Sequence, residues 1–341
     1  MVTGGLCPSV GVAGFTMGGG VGPCGRQFGL AIDNVVGFKM VTEDGENVLH
    51  INKTHHSELF WALRGSGGGN FGAVAEISFK VHEGPEIQTW GTICYKSQDV
   101  MKEALINLGK MERSLPWSLN ADVVIDDDNG LCIWVIYLGP KEEALAYLDP
   151  ILKNETVKPY NVSFTDYDCW WEMIEAFALA HGYPKDDQGD NVPFIMKNGF
   201  IYDLSEEFAT LMATFDIPEI CDQHLIHFGG VIDTIASEDS AFYWRGARYM
   251  AYISCGFQTQ EEKNTTDQIL GKWWDSLSPF FNGSYLNFID KDLDLWKERY
   301  YGRNLEKLVE IKKVWNPIEN GGPLHFQQET THCNEILIYQ F

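Results

Sequence analysis

Chemistry is suggested first by the glycines. Gly18-Gly19-Gly20, Gly22 and Gly25 form one cluster, and Gly65, Gly67, Gly68 and Gly69 form a second. Glycine accepts positive φ and lets backbone N–H groups come close to a ligand. Two such clusters in one short stretch point to a bound cofactor rather than to tight turns alone. Gly20-Val21-Gly22-Pro23-Cys24-Gly25 matches G-x-G-x-x-G literally. A dinucleotide loop of that kind must open a helix whose first N–H groups hold a pyrophosphate. Here Pro23 interrupts the loop, Arg26–Asn34 does not read as a long helix, and no acidic residue closes a second strand, so that reading is excluded.

Other reactive groups carry less. His55-His56 and His224-Leu225-Ile226-His227 have no third ligand at a metal-binding spacing, so no metal is expected. G-x-S-x-G, the common serine-hydrolase elbow, does not occur. Asp126-Asp127-Asp128 lacks the remainder of a calcium loop and reads as a hairpin tip. Trp170-Trp171 and Trp273-Trp274 could stack on sugars, but on helices such pairs usually belong to the core. The eight cysteines are scattered, with no C-x-x-C pair. At this chain length a core forms without disulfide staples, so all but Cys7 read as small buried hydrophobes.

The chain of 341 residues has room for about two domains. It carries 25 basic and 48 acidic residues, a formal net charge of −23. Such a surface repels phosphate backbones and anionic lipid, so neither nucleic acid nor membrane is an expected partner. No stretch of 18 apolar residues occurs, and Met1–Pro8 has neither a basic nor an apolar signal region. Sequons at Asn52, Asn154, Asn161, Asn264 and Asn282 suggest instead a secreted glycoprotein. A chain without its natural N-terminus would reconcile the two.

The elements that must position these groups follow from periodicity. Residues 35–41 and 73–81 read as strands, with a turn at 42–46 and a short helix at 57–63. From residue 87 the pattern becomes strand 88–95, amphipathic helix 97–113, a hairpin of 121–125 with 131–138, and helix 141–152. Helix 205–214, strands 225–231 and 248–257, and helix 265–277 continue it. A short strand at 285–288 and helices at 292–299 and 304–314 end it. Helices among antiparallel pairs predict an α+β fold.

Larger motifs carry a resemblance. Gly5-Leu6-Cys7-Pro8-Ser9-Val10-Gly11-Val12-Ala13-Gly14, Phe28–Val36, Glu58–Gly65 and Gly68-Gly69-Asn70-Phe71-Gly72 resemble the second half of the flavin domain of berberine bridge enzyme-like oxidases, in the vanillyl-alcohol oxidase superfamily. Tyr285-Leu286-Asn287, Tyr300-Tyr301-Gly302, Asn304-Leu305 and Asn316-Pro317 resemble that family's C-terminal signature, and Gly229–Ile232 with Ser240–Arg245 its middle. The resemblance implies a partial PCMH-type FAD-binding domain at residues 1–85. It implies a substrate domain, an antiparallel sheet backed by helices, at 86–280, and a returning segment at 281–341. The implied function is an FAD-dependent oxidase. It would transfer a hydride from an alcohol, sugar or secondary metabolite to flavin N5, with oxygen as the second substrate. FAD would be covalently held through Cys7, as in many members. Val10, Gly11, Gly14, Gly18, Gly20, Gly22, Asp33, Asn34, Val36 and Asn287 would lie about the cofactor.

Two departures from the family pattern shape the expectation. Relatives carry a longer N-terminal region with the other half of the flavin domain, so a chain lacking that half is expected here. The family often has His where Phe15 stands and Tyr where Phe288 stands. Phenylalanine cannot accept a proton. Tyr285, Tyr301 or an acidic residue of the substrate domain would then serve as base. The alternatives are a truncated, non-catalytic remnant that binds flavin weakly or not at all, and a carbohydrate-binding protein using the Trp pairs.

Overall fold

The computed structural model describes residues 1–7, 10–42, 44–128, 130–180 and 192–315. Pro8, Ser9, Asn316, Pro317 and Cys333 lie outside them. In chain order the elements begin α1 (Val12–Met17), α2 (Gly25–Phe28), β1 (Val35–Val41), β2 (Val48–Ile51), α3 (Ser57–Ala62) and β3 (Ala73–Phe79). They continue β4 (Gln88–Tyr95), α4 (Gln98–Met111), β5 (Leu119–Asp126), β6 (Gly130–Tyr137), α5 (Lys141–Leu152), β7 (Asn161–Tyr167) and α6 (Trp170–Ala180). Then come β8 (Phe194–Ile201), α7 (Glu206–Thr214), β9 (Cys221–His227), α8 (Val231–Thr234), β10 (Tyr249–Gly256), α9 (Gln260–Leu277), α10 (Trp296–Tyr301) and α11 (Leu305–Trp315).

Contacts divide the chain into two compact units. The first comprises Met1–Glu83, Gly230–Gly246 and the residues from Gly283 onward. The second comprises Gly84–Gly229 and Ala247–Asn282. The sequence reading put Gly230–Gly246 in the middle portion, whereas its side-chain anchors lie in the first unit. Trp61 Nε1 donates to Glu238 O (2.6 Å), and Asn304 Nδ2 donates to Ser237 O (2.7 Å) and Ser240 O (3.0 Å).

The first unit holds a three-stranded antiparallel sheet in the order β2-β1-β3. The second holds a seven-stranded antiparallel sheet in the order β7-β4-β6-β5-β9-β10-β8. Strand side chains alternate between faces. Ile93, Leu119, Ala121, Val123, Ile133, Val135, Leu225 and Ile253 therefore meet the apolar stripes of α4, α5, α7 and α9 in one core. Trp273 of α9 is fully buried there, and its indole N–H donates to Gln223 Oε1 (2.6 Å). α9 starts sharply because Thr259 and Glu262 form a reciprocal cap. The α+β fold with an antiparallel sheet backed by helices is the one observed.

Several sequence expectations need correction. Residues 285–288 form a turn, not a strand, closed by Phe288 N–H donating to Tyr285 O (3.1 Å). The expected helix at 292–299 begins only at Trp296, because Leu295 adopts left-handed φ of 48°. Strands β2, β7 and β8 were not anticipated. β8 carries intermediate exposure over its first half, so its alternation is blurred.

The cysteine reading also fails at four positions, which form two disulfides, Cys94–Cys132 and Cys221–Cys255. Register explains both. Cys94 stands opposite Cys132 across β4·β6, and Cys221 opposite Cys255 across β9·β10. Directly opposed residues in an antiparallel pair place their Cβ atoms within bonding reach of two sulfurs. The sequence separations of 38 and 34 residues hide that adjacency. Replacing Cys221 and Cys255 together by alanine should destabilise the protein by about 2–4 kcal/mol. Thermal unfolding with and without reductant tests this: reductant should lower the midpoint of the parent more than that of the double variant.

Candidate functional site

The site builds from the segment that carries Cys7. Gly11 has extended backbone (φ −64°, ψ 120°) and caps the six-residue helix α1, which ends at Gly18. A recess of about 130 Å³ opens between α1 and the N-terminal residues. Gly4, Gly5, Cys7, Val10, Phe15 and Thr16 are among its lining residues. Cys7 is a half-buried thiol. Cys24 contrasts with it, since burial pushes that thiol up to about 12 and leaves it inert at neutral pH.

Thr16 is the residue that sequence reasoning missed. It has no exposed surface, and its Oγ1 has no hydrogen-bond partner. A buried hydroxyl left unpaired costs about 1–3 kcal/mol. Sequence gives little signal for it, because a threonine beside three glycines reads as a helix end. Glycine side-chain space separates two groups of the predicted residues. A Cβ on Gly18 would lie 1.8 Å from Asn287 Oδ1, one on Gly20 2.2 Å from Ala31 Cβ, and one on Gly22 1.9 Å from Gly4 O. The fold itself demands glycine at these three. A Cβ on Gly4 or Gly14 would meet nothing within 4 Å, so packing does not require glycine there. A thiol, an unsatisfied hydroxyl and side-chain-free backbone around an apolar recess fit one edge of a flavin. The recess is smaller than the roughly 300–1,000 Å³ that encloses a whole small ligand, so it has room for only part of one.

Tyr285 and Asn287 stand behind that recess. The N–H groups of Gly20 and Val21 donate to Tyr285 Oη at 3.2 and 3.3 Å. Asn287 Nδ2 donates to the same oxygen and to Phe15 O, both at 2.9 Å. Burial pushes the Tyr285 hydroxyl above the ordinary tyrosine range, against the three donors that pull it down. Tyr301 is likewise raised by burial, and its hydroxyl donates to Ser66 O (3.1 Å). Neither tyrosine lines the recess. Phe288 packs edge-on to Tyr285 with ring centroids 5.3 Å apart.

The remaining predicted residues are placed elsewhere in the first unit. Asp33 binds Arg245 through two bonds, Nη1 to Oδ2 (3.0 Å) and Nη2 to Oδ1 (2.7 Å), with both side chains buried. Asp33 Oδ2 also accepts from Leu30 N–H (2.8 Å). Asn34 Nδ2 donates to Phe28 O and Leu30 O, each at 3.0 Å, and its Oδ1 meets His82 Nε2. Asp33 and Asn34 therefore hold the chain between α2 and β1. Val36 is exposed on β1. The structure brings Cys7 and Val10 together at the recess, with Gly18, Gly20, Gly22, Tyr285 and Asn287 behind it. Asp33, Asn34, Val36 and Tyr301 do not line it.

In the second unit the sheet face opposite α4, α5, α7 and α9 carries a polar and aromatic patch. His224 stacks on Tyr252 (4.4 Å) and meets Trp134 edge-on (5.7 Å). His224 Nε2 lies 3.4 Å from Asp222 Oδ2, and Asp222 accepts from Ser254 Oγ (2.9 Å). Asn120, buried on the same face, has no hydrogen-bond partner for its Nδ2. His224 thus belongs to an aromatic stack. Among the described residues no group of three or more His, Cys, Asp or Glu is placed to hold a metal ion.

Comparison with known proteins places this architecture. Residues 284–319 match the family described as berberine and berberine like. The chain is 47% identical to an FAD-linked oxidoreductase of Gibberella zeae over 93% of its own length and 58% of that protein's. It is 28% identical to the FAD-linked oxidoreductase YvdP of Bacillus subtilis, over 91% of this chain and 69% of the other. The solved structure of a chitooligosaccharide oxidase superposes with a TM-score of 0.82 at 23% identity, covering 93% of this chain and 71% of that one. The chain thus spans roughly 58% to 69% of the length of the curated relatives named here. Fold and matches together define an oxidoreductase of the flavin-linked class. The chain is similar to berberine bridge enzyme-like FAD-linked oxidoreductases along most of its length, and its residues 284–319 match that family's model.

Arg245 gives the sharpest stability test. Its replacement by methionine strands the buried Asp33 carboxylate and should cost about 3–5 kcal/mol. Adding Asp33→Asn should recover part of that loss. A double variant as unstable as the sum of the single changes would show that the pair is not coupled.

Proposed function

We propose that this chain binds FAD against the Cys7 recess and works as an oxidase of a small organic substrate. The observation that carries the reading is the meeting of the Cys7 thiol with the unpartnered Thr16 hydroxyl on one apolar recess. Cys7 would hold the cofactor through sulfur, and Thr16 would supply a hydrogen bond. When bound, FAD supplies a two-electron acceptor, so that a substrate C–H hydrogen leaves as hydride and oxygen is the final acceptor.

The chain's own residues position and exclude. Val10 and Phe15 keep water from the recess wall. Tyr285 acts as a positioning residue: its oxygen collects the Gly20 and Val21 N–H groups and fixes the turn behind α1. Its raised pKa and three donated bonds suit that role better than proton abstraction. Asn287 ties Phe15 O to the same oxygen, so the recess wall and the 285–288 turn are held as one. Substrate binding is assigned to the second unit, on the patch of Trp134, His224 and Tyr252. Aromatic faces beside a histidine and a carboxylate suit a ring bearing hydroxyl groups. The two disulfides and five sequons support passage through an oxidising secretory compartment.

Purified protein mixed with FAD should develop visible flavin absorbance that survives gel filtration. After acid precipitation the parent should stay yellow, whereas Cys7→Ser should release its colour. Thr16→Val should keep its fold by circular dichroism yet retain less flavin. Colourless parent protein would end the flavin reading.

A further inference from the structure

The seven-stranded sheet has two edges among the described residues, β7 and β8, and they differ in how they are protected. An edge strand offers unpaired N–H and C=O groups to any other strand, and proteins blunt such edges with lysine, proline, bulges or cover. Both have helices packed on them, α9 on β8 and α5 and α6 on β7, but β8 also carries Lys197. β7 reads Asn-Val-Ser-Phe-Thr-Asp-Tyr, with neither lysine nor proline. Its register with β4 runs unbroken from Asn161 to Tyr167, so no bulge turns it away. Its one charge is engaged inward, since Asp166 Oδ1 accepts from Thr89 Oγ1 and Lys141 N–H, both at 2.8 Å. Exposed apolar side chains stand at its start, Tyr160 at 54% and Val162 at 44%.

The first residue of this strand is the acceptor of a sequon, Asn161-Val162-Ser163, and it is exposed. Asn52 and Asn154 are only partly exposed, whereas Asn264 and Asn282 are as exposed as Asn161 but neither stands in a strand. Asn52 and Asn154 have their Oδ1 held in turns by Thr54 and Thr156. Asn264 lies within α9, bonded to Gln260. We propose that Asn161 is an N-glycosylation site whose glycan guards the open edge of β7. The reaction takes a lipid-diphosphate-linked oligosaccharide as donor. The Asn161 Nδ2–C1 bond forms, the C1–O bond to the diphosphate breaks, the amide gives up one proton, and the lipid diphosphate leaves. No oxidation is involved. A bulky, hydrated group at the strand's first residue then blocks pairing by a second strand, the task that lysine performs on other edges.

This inference rests on the secretory reading and is tested by exporting the full chain behind a heterologous secretory leader from a eukaryotic host, followed by peptide mapping with and without N-glycosidase. The Asn161 peptide should carry a glycan. N161Q and S163A should each lose one glycan mass, and both should associate at concentrations where the parent does not, by light scattering. The double variant N161Q/V162K should return to the parent's behaviour, because lysine replaces one edge guard with another. A bare Asn161 on exported protein with both disulfides formed overturns the site alone, and N161Q that loses its glycan without associating overturns the guarding role. Protein that enters the secretory pathway behind the leader yet keeps its four disulfide cysteines reduced and Asn161 bare overturns the secretory reading and the site together.

Discussion

The first unit turns on a lack of space. Between Gly18 and Gly22 the chain runs so close to Asn287, Ala31 and Gly4 that a single methyl group has nowhere to go. Glycine is the only residue that fits, and its weakness as a helix former is the cost of the arrangement. In return the turn at 285–288 comes down onto the back of α1. Tyr285 Oη gathers two backbone N–H groups and one side-chain amide, the Gly20 N–H among them being buried. The recess beside Cys7 keeps its shape because this seam behind it cannot slide.

A second constraint is electrostatic. Arg245 and Asp33 are buried together, and each takes a further partner, Ser240 Oγ for the cation and Leu30 N–H for the anion. A buried ion pair is weak as a source of stability but demanding in geometry. Here it fixes Gly230–Gly246 to the stretch between α2 and β1, far apart in sequence.

Periodicity led to the fold class, whereas a local motif singled out Cys7, which lines the recess. Periodicity found α5 and α11, which each bury one face, and apolar β-rich composition found β1, β4 and the β5–β6 hairpin, whose strands β5 and β6 are buried on both faces. Sequence reading missed β7, whose residues are mostly exposed and so show no alternation. It mistook the 285–288 stretch for a strand because Tyr-Leu-Asn-Phe has strand composition, while the side chains serve a turn. The glycine clusters read as a ligand signal in the sequence, whereas in the structure Gly18, Gly20 and Gly22 answer to packing. Asp33 and Asn34 stood in a motif, yet their side chains are spent on Arg245, Phe28 and Leu30. Thr16 was invisible, since nothing in a sequence announces that a hydroxyl will find no partner. The disulfides were equally hidden, because they follow from strand register rather than from spacing.

The order of the chain has a consequence for biosynthesis. The second unit is drawn from residues 84–229 and 247–282, so its sheet can close once that much has emerged from the ribosome. The first unit must wait for residues beyond 283. A premature stop just before Tyr285 would therefore spare the larger sheet and its two sulfur bridges. It would leave the glycine ridge with no turn to cover it, and a nascent chain at that stage would expose backbone donors that quality-control machinery can recognise.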